Sequence, residues 1–383
     1  MELSVVLPCL NEADTLETCL TKALTTLRSA GIEGEVIVAD NGSTDGSVEI
    51  AERLGARVVH VRDKGYGCAL SGGFEAARGR FVVMGDADDS YDFREIPRFV
   101  AKLREGFDLV QGCRLPSGGG TVLPGAMPAL HRFWGNPMFS FLARKMFRAP
   151  VHDVYCGLRG FRRDFQAGLS QRCTGMEFAT EMIVKASLNG GKLAEVPITL
   201  HPDGRKAHAP HLRTFRDGWK TLRFFLMSSP RWLYLVPGAL LIALGVAGFS
   251  LALPGVHLFG AHLDVHTLLV SGLLAVLGFN LVVFAMCAKV FGITEGFLPP
   301  DPRIDAFFRR VRLEHGLIAG GAAFVSGIAL IAVAFAAWWR SGFGDLDYPR
   351  TMRFVVPGTV LAALGFQAVL ASFLVSLLGM GRR

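Results

Sequence analysis

FVVMGDADDSYDF, residues 81–93, decides the reading of this chain. Its apolar run, Phe81 to Met84, has the length and branched content of a buried strand, and it stops at Gly85 before Asp86, Asp88, Asp89 and Asp92. Carboxylates crowded this closely repel one another unless a cation or hydrogen-bond donors compensate them. Two readings follow: a divalent metal bound at the carboxyl end of a strand, or a solvated acidic turn that caps the next helix.

The residues upstream supply a frame for the cluster. Leu3 to Leu7 reads as a strand ended by Pro8, and Glu12 to Ala30 carries a helical pattern through Leu16, Leu20, Leu24 and Leu27. Val36 to Ala39 is a second strand, closed by the polar loop DNGSTDG at 40–46; Ser47 to Leu54 reads as helix and Arg57 to Val61 as strand. Gly72 to Ala77 reads as helix before the strand at 81–84. Strands alternating with helices predict an α/β fold with a doubly wound, mostly parallel sheet, whose ligands sit beyond the carboxyl ends of its strands. Asn11 and Glu12, Asp40 and Asn41, and the 86–89 cluster would all face that cleft. The first strand is followed by PCLNEAD and not by G-x-G-x-x-G, so the dinucleotide fingerprint is absent. The glycine-rich KGYGCALSGG at 64–73 either presents helix amides to a phosphate or lets a helix pack closely.

The chain has 383 residues, of which 51% are hydrophobic, and the apolar excess lies beyond Trp232. A soluble part is followed by a membrane part. The net charge of +7 comes without a basic tract interleaved with base-stacking aromatics, which argues for anionic lipid headgroups and against nucleic acid as the partner. Seven cysteines, scattered and without a C-x-x-C pair, point to neither a disulfide framework nor a zinc site. The first residues, MELSVVLPCLNE, have no basic segment before an apolar one, so the soluble part is expected to stay in the cytosol.

In order, PCLNEAD, ADNGSTDGS, KGYGCAL and GDADD resemble the nucleotide-sugar-binding half of family 2 glycosyltransferases of GT-A fold. Together with the membrane tail, the chain is similar to the dolichol-phosphate or polyprenyl-phosphate mannose and glucose synthases. The resemblance implies a nucleotide-sugar donor held by Pro8, Leu10, Asn11, Glu12, Asp40, Asn41, Lys64, Asp86 and Ala87, with Arg205 reaching its diphosphate. It implies Mg2+ or Mn2+ on Asp88, with Ser90 or Asp89 completing the shell. Ser90 stands where the family often has glutamine, and Asn41 where it has a second aspartate.

DLVQGCR, residues 108–114, reads as a strand ending in Arg114, and a Gly/Pro-rich loop follows at 117–128. Residues 129–148 set Phe133, Trp134, Met138 and Phe141 among Arg132, Arg144, Lys145 and Arg148: a helix lying in the headgroup region, or one packed on the sheet with solvated cations. The resemblance places the acceptor phosphate on Arg114, Arg132 and Asn136, and Asp153, in a D-x-x-x-G-x-R stretch, beside them. Leu193 to Leu200 reads as the closing strand. His201, His208 and His211 have the look of metal ligands, but phosphate chemistry prefers oxygen-bound metals. Residues 212–229 repeat the aromatic and basic theme through Leu212, Arg213, Phe215, Arg216 and Trp219.

The tail holds four apolar segments near 232–253, 267–291, 316–339 and 356–380, each long enough to cross a bilayer core of roughly 30 Å at about 1.5 Å per residue. The expected domains are therefore a GT-A domain at 1–211, a juxtamembrane helix at 212–229 and a transmembrane domain at 230–383. Arg303, Arg309, Arg310 and Arg312 lie in the second connection, whereas the first has no Lys or Arg. The positive-inside bias puts that second connection, the catalytic domain and both termini, Arg382 and Arg383 included, in the cytosol of an integral plasma-membrane protein. The reaction that the resemblance implies is metal-dependent, inverting transfer of a hexose from a nucleotide-sugar to a polyprenyl or dolichyl phosphate; a homo-oligomer is compatible with this organisation. Two other readings compete with it. A processive synthase carries Q-x-x-R-W, but Ser228 replaces that glutamine before Arg231 and Trp232. A non-catalytic flippase or scaffold fits poorly with the retained Asp86, Asp88, Arg114 and Arg205.

Overall fold

The structure, a computed structural model, describes residues 1–205, 214–258 and 260–380. The chain divides into two compact units, Met1–Phe225 and Leu226–Arg383.

The first unit opens with β1 (Leu3–Cys9), α1 (Ala13–Ser29), β2 (Gly34–Asp40), α2 (Ser47–Arg53), β3 (Arg57–His60), α3 (Tyr66–Ala76) and β4 (Phe81–Met84). It continues through α4 (Ile96–Arg104), β5 (Leu109–Cys113), the two-residue β6 (Thr121–Val122), α5 (Asn136–Phe147), β7 (Arg159–Arg162), α6 (Arg163–Gly168), α7 (Glu177–Leu188), β8 (Leu193–Pro197), β9 (Thr199–Leu200) and α8 (Thr214–Met227). Seven strands form one sheet in the order β3-β2-β1-β4-β7-β5-β8. All pairs are parallel except those of β7, which runs antiparallel to both β4 and β5. This is the mostly parallel GT-A sheet.

Side chains alternate between two apolar layers. Val5, Leu7, Val36, Val38, Phe81 and Val83 face one, while Val6, Ile37, Ala39, Val82 and Met84 face the other. With both faces covered, β4 must be apolar at every position, which is why FVVM shows no alternation. Helix α3 lies so close to the sheet that a Cβ on Gly73 would sit 2.5 Å from a Val6 methyl. The glycines of the 64–73 segment therefore serve packing. Its amides are engaged within the protein, Gly65 N–H by Asn41 Oδ1 at 2.8 Å and Gly67 N–H by the Thr174 carbonyl at 2.9 Å.

Residues 131–135 form a π turn that enters α5. Phe139, Ala143 and Phe147 of α5 are buried, and Phe225 of α8 meets the Phe139 and Phe147 rings edge-on. The opposite aromatics stand in the open: Phe133 is 68% exposed, Trp134 74%, Phe215 84% and Trp219 61%. Of the two sequence readings of 129–148, packing on the sheet is what the segment shows, and its outer face is apolar and cationic. Leu212 and Arg213 lie outside the described residues.

The second unit has four helices long and apolar enough to cross a membrane: Arg231–Ala252, Val265–Thr294, Leu313–Arg340 and Tyr348–Met380. The first comprises a π turn at 231–235 and α9 (Val236–Ala252); the others are α10 (Val265–Thr294), α12 (Leu313–Arg340) and α13 (Tyr348–Met380). The arginine-rich connection, expected as a loop, contains a short helix, α11 (Pro302–Arg310), capped by Asp301. In a bilayer no hydrophobic drive joins helices, and small residues that admit backbone contact do the work. A Cβ on Gly327 would lie 2.5 Å from the Gly358 carbonyl oxygen, one on Gly365 2.6 Å from that of Gly320, and one on Gly278 2.7 Å from that of Gly238.

Candidate active site

Strands β1, β2 and β4 are neighbours paired so that Cys9 lies beside Asp40 and Val6 beside Met84. Their carboxyl ends therefore deliver 10–12, 40–41 and 85–89 to one edge of the sheet. Pro8, Leu10 and Asn11 are half-buried on this rim. Asn11 adopts a positive φ of 59° and accepts the Thr44 N–H at 2.8 Å, which joins the loop after β1 to the loop after β2.

Asp40 is buried and accepts N–H groups from Gly42 and Ser43, with His60 Nδ1 at 3.3 Å. Against desolvation, the bonds from Ser43, His60 and Gly42 hold its carboxyl below the ordinary value. Asn41 explains its own departure from aspartate. Its Nδ2 donates to the carbonyls of Val61 at 3.1 Å and Asp63 at 2.7 Å, which a carboxylate cannot do. Lys64 Nζ donates to the Asn41 carbonyl across Gly42, where a Cβ would lie 2.3 Å from that nitrogen and φ is +93°. Lys64 thus braces this loop.

In the acidic cluster the four carboxylates have four different partners. Asp92 caps the next turn by accepting the Arg94 N–H, so the capping reading holds for it. Asp89, at φ +60°, is paired with Lys22 of α1 at 2.6 Å. Asp88 Oδ1 accepts both the N–H and the hydroxyl of Ser90, at 3.0 and 2.6 Å. Among the described residues its Oδ2 has the Arg205 guanidinium, 3.4 Å away. Asp86 accepts the Tyr66 hydroxyl at 2.8 Å, and desolvation, then the charge of Asp88, pushes its carboxyl up to about 6. Ala87 between them is buried, and its carbonyl accepts the Thr15 hydroxyl at 2.6 Å.

Residues 200–205 run back over this cluster. Tyr91 bridges Leu200, His201 N–H donates to the Ser90 carbonyl, and Gly204 N–H to that of Asp88, both at 3.0 Å. Arg205 is thereby delivered to Glu12, whose two oxygens accept from Nε and Nη2 at 2.7 Å each, while Nη1 reaches Asp203 at 2.8 Å. Burial works against the charge on Arg205, yet Glu12, Asp88 and Asp203 together raise its pKa above the ordinary value. His208 and His211 lie outside the described residues, among which no three His, Cys, Asp or Glu are gathered to hold a metal.

At the end of β5, Arg114 is buried. Its Nε and Nη2 grip Asp153 at 2.7 and 2.9 Å, its backbone N–H adds a third bond at 3.0 Å, and Nη1 faces the Tyr91 hydroxyl at 3.4 Å. Tyr91 Oη also accepts the Gly157 N–H at 2.8 Å. The D-x-x-x-G-x-R stretch is thus a loop folded over β5, and its arginine, Arg159, is fully buried with its Nη atoms on the carbonyls of Ala179 and Cys156. Arg132 is half-exposed on the π turn, its guanidinium 5.4 Å from the Phe133 ring centre. Asn136 is buried and turns Nδ2 to Met127 Sδ at 3.3 Å. Among the described residues no hydrogen bond joins Arg114, Arg132 and Asn136. Sequence reasoning missed Tyr66, Tyr91 and Asp203; Asp203 joins this edge through the 200–205 return segment, which no motif signals, and Tyr91 through Leu200, Arg114 and Gly157.

Residues 4–168 match the model of glycosyl transferase family 2, and residues 286–379 that of the glycosyltransferase family 2 C-terminal transmembrane region. The chain is 39% identical over 379 residues to the low-salt glycan biosynthesis hexosyltransferase Agl6 of Haloferax volcanii, covering 98% of this chain and 89% of that protein. It is also similar to the dolichyl-phosphate hexose transferase of the same organism, 35% identical over 48% of this chain and 76% of the relative. Among solved structures, glucosyl-3-phosphoglycerate synthase from Mycobacterium tuberculosis is similar over 59% of this chain and 78% of that one, with 22% identity and a TM-score of 0.46. A relative matched along nearly the whole chain and two family regions in order establish that the chain is a glycosyltransferase that belongs to family 2 and carries that family's C-terminal transmembrane region.

Proposed function

We propose that this membrane glycosyltransferase moves a hexose from a nucleotide-sugar to a polyprenyl or dolichyl phosphate at the cytosolic face of the cell membrane. One observation carries the reading: the Glu12, Asp88, Asp203 and Arg205 array at the carboxyl ends of β1 and β4, in a chain that also has four membrane-length helices. The names of the two relatives, a hexosyltransferase and a dolichyl-phosphate hexose transferase, support the same chemistry.

The donor set fits Mg2+ or Mn2+, which bind through one or two carboxylates with substrate phosphates and water. Asp88 Oδ2 is the oxygen for it, because Ser90 already donates twice to Oδ1 and Lys22 holds Asp89. Ser90 in this reading orients Asp88 and is no ligand itself. The ion would neutralise charge that builds on the departing nucleoside diphosphate.

The remaining work falls to side chains. Arg205 is the preorganised guanidinium beside that leaving group, fixed by Glu12 and Asp203. A phosphate monoester is anionic at neutral pH and attacks the anomeric carbon without a protein base, so positioning carries the acceptor side. Arg132, half-exposed among open aromatics, is the cation for the acceptor phosphate. Arg114, whose fork Asp153 fills, shapes the wall behind it. Phe133, Trp134, Phe215 and Trp219 seat these helices in the headgroup layer.

The test is a panel of GDP- and UDP-sugars with polyprenyl phosphate and Mn2+, scored for lipid-linked sugar, on wild type and Asp88→Ala. Wild type yields product with one donor, and Asp88→Ala loses it while keeping its melting temperature. Near-normal turnover in Asp88→Ala ends the assignment of Asp88, and no product from any donor ends the acceptor assignment.

A further inference from the structure

The membrane unit has a half-open cavity of about 1130 Å³ lined by α10, α11, the start of α12 and the last turns of α13. Pockets for small molecules run to roughly 1,000 Å³, so this one has the size for lipid chains. It is a built space. Lys289 of α10 pairs with Asp301 at 3.3 Å, fixing the start of α11, and Phe308 packs so tightly on α13 that a Cβ on Gly379 would lie 2.7 Å from its ring. The depth is apolar: Phe279, Val283 and Met286 from one helix, Ala371 and Val375 from the other. Among the described residues, its charged side chains come from residues 305–314: Arg309 and Arg312, with Asp305 and Glu314. Among the described residues neither guanidinium is in an ion pair.

We infer that this cavity binds one anionic glycerophospholipid, with its phosphodiester on Arg309 and Arg312 and its chains between α10 and α13. Two open guanidinium groups at the rim of an apolar slot supply forked donors for phosphate oxygens. Basic pockets between transmembrane helices on the cytoplasmic side recognise lipid headgroups by this chemistry. Glu314 selects among phosphates. A monoester carries a charge of about −1.5 to −2 at neutral pH and would be repelled by Glu314. A diester carries a single charge and presents a hydroxyl or ammonium headgroup that this carboxylate accepts. The occupant is therefore a resident phospholipid and not the polyprenyl phosphate. This inference is independent of the donor and acceptor assignments; only the leaflet follows from the proposed orientation.

The test uses the full chain in nanodiscs of phosphatidylcholine with phosphatidylglycerol, then detergent extraction, exhaustive washing and mass spectrometry of retained lipid. Wild type keeps about one phosphatidylglycerol per chain, and the double variant Arg309→Glu, Arg312→Glu loses it by at least about tenfold. Ala371→Leu, which narrows the slot without touching the rim, lowers retention too, and helical circular dichroism checks that each variant is folded. Three results overturn the inference: equal retention in wild type and the folded charge-reversal variant, displacement of phosphatidylglycerol by equimolar polyprenyl phosphate, or crosslinks showing the slot filled by a second copy of the chain.

Discussion

Replacing Asp153 by asparagine removes the one carboxylate that, among the described residues, is bound to the buried Arg114 guanidinium. Three bonds at 2.7, 2.9 and 3.0 Å converge on this side chain, which has no exposed surface. Breaking a buried pair by deleting one partner costs about 3–5 kcal/mol, because the orphaned charge stays desolvated. Asparagine retains the shape and offers one carbonyl, so the lower half of that range applies, about 3–4 kcal/mol. In a unit of this size each kcal/mol lowers the melting temperature by about 2–4 °C, which gives a fall of about 6–16 °C. The assay is thermal unfolding of the full chain in detergent, followed by near-UV circular dichroism. A companion variant, Arg114→Met with Asp153→Leu, removes both charges and recovers most of the loss. If Asp153→Asn melts within about 2 °C of wild type, the pair is not the clamp described and Arg114 is free for another role.

Asn41→Asp sets a carboxylate against the Val61 and Asp63 carbonyls and costs about 2–4 kcal/mol, read from urea midpoints; an unchanged midpoint contradicts the bridging role. Gly327→Leu drives a side chain into the α13 backbone, where even a Cβ would lie 2.4 Å from the Ala362 nitrogen. It should lower stability by about 1–3 kcal/mol and weaken disulfide trapping between cysteines placed on facing positions of α12 and α13; undiminished trapping refutes the seam. Asp45 titrates in the acid range: against desolvation, bonds from Ser47 and from the Ala13 and Ser47 N–H groups hold its carboxyl below its ordinary value of 3.8. Its contribution is complete above 3.8 and disappears as pH falls through the depressed folded value. Asp45→Asn should therefore flatten the acid limb of the melting-temperature profile, and a parallel limb counts against it.

The order of strands and helices in the first unit was legible because β1, β2 and β4 are covered on both faces and lead into polar residues. The same physics hid β7. Arg159–Arg162 reads RGFR, a charged quartet whose first arginine is buried against the carbonyl of Cys156, three residues before it, and that of Ala179, twenty residues after it. The positions of Asp86, Asp88 and Glu12 were readable from strand ends. Their partners were not, since spacing along the chain says nothing of which cation meets which carboxylate: Lys22 on Asp89, Arg205 on Glu12 and Arg114 on Asp153 are all tertiary facts. The membrane-length segments followed from hydropathy alone, but α11 did not, because nine residues with two internal phenylalanines carry no length signal.

The glycine seams bear on how the second unit is made. Gly238 meets Gly278, Gly320 meets Gly365 and Gly327 meets Gly358, so these glycine pairs join the first two spanning helices and the last two. A further glycine, Gly272 of α10, packs so closely on Val360 of α13 that a Cβ there would lie 2.5 Å from its methyl. A ribosome delivering this chain to the bilayer would release one closed hairpin before synthesising the next, and the Gly272 face would stay in lipid until α13 arrives. Biogenesis then proceeds as two hairpins followed by their docking, and a defect in the second seam leaves the first hairpin already assembled.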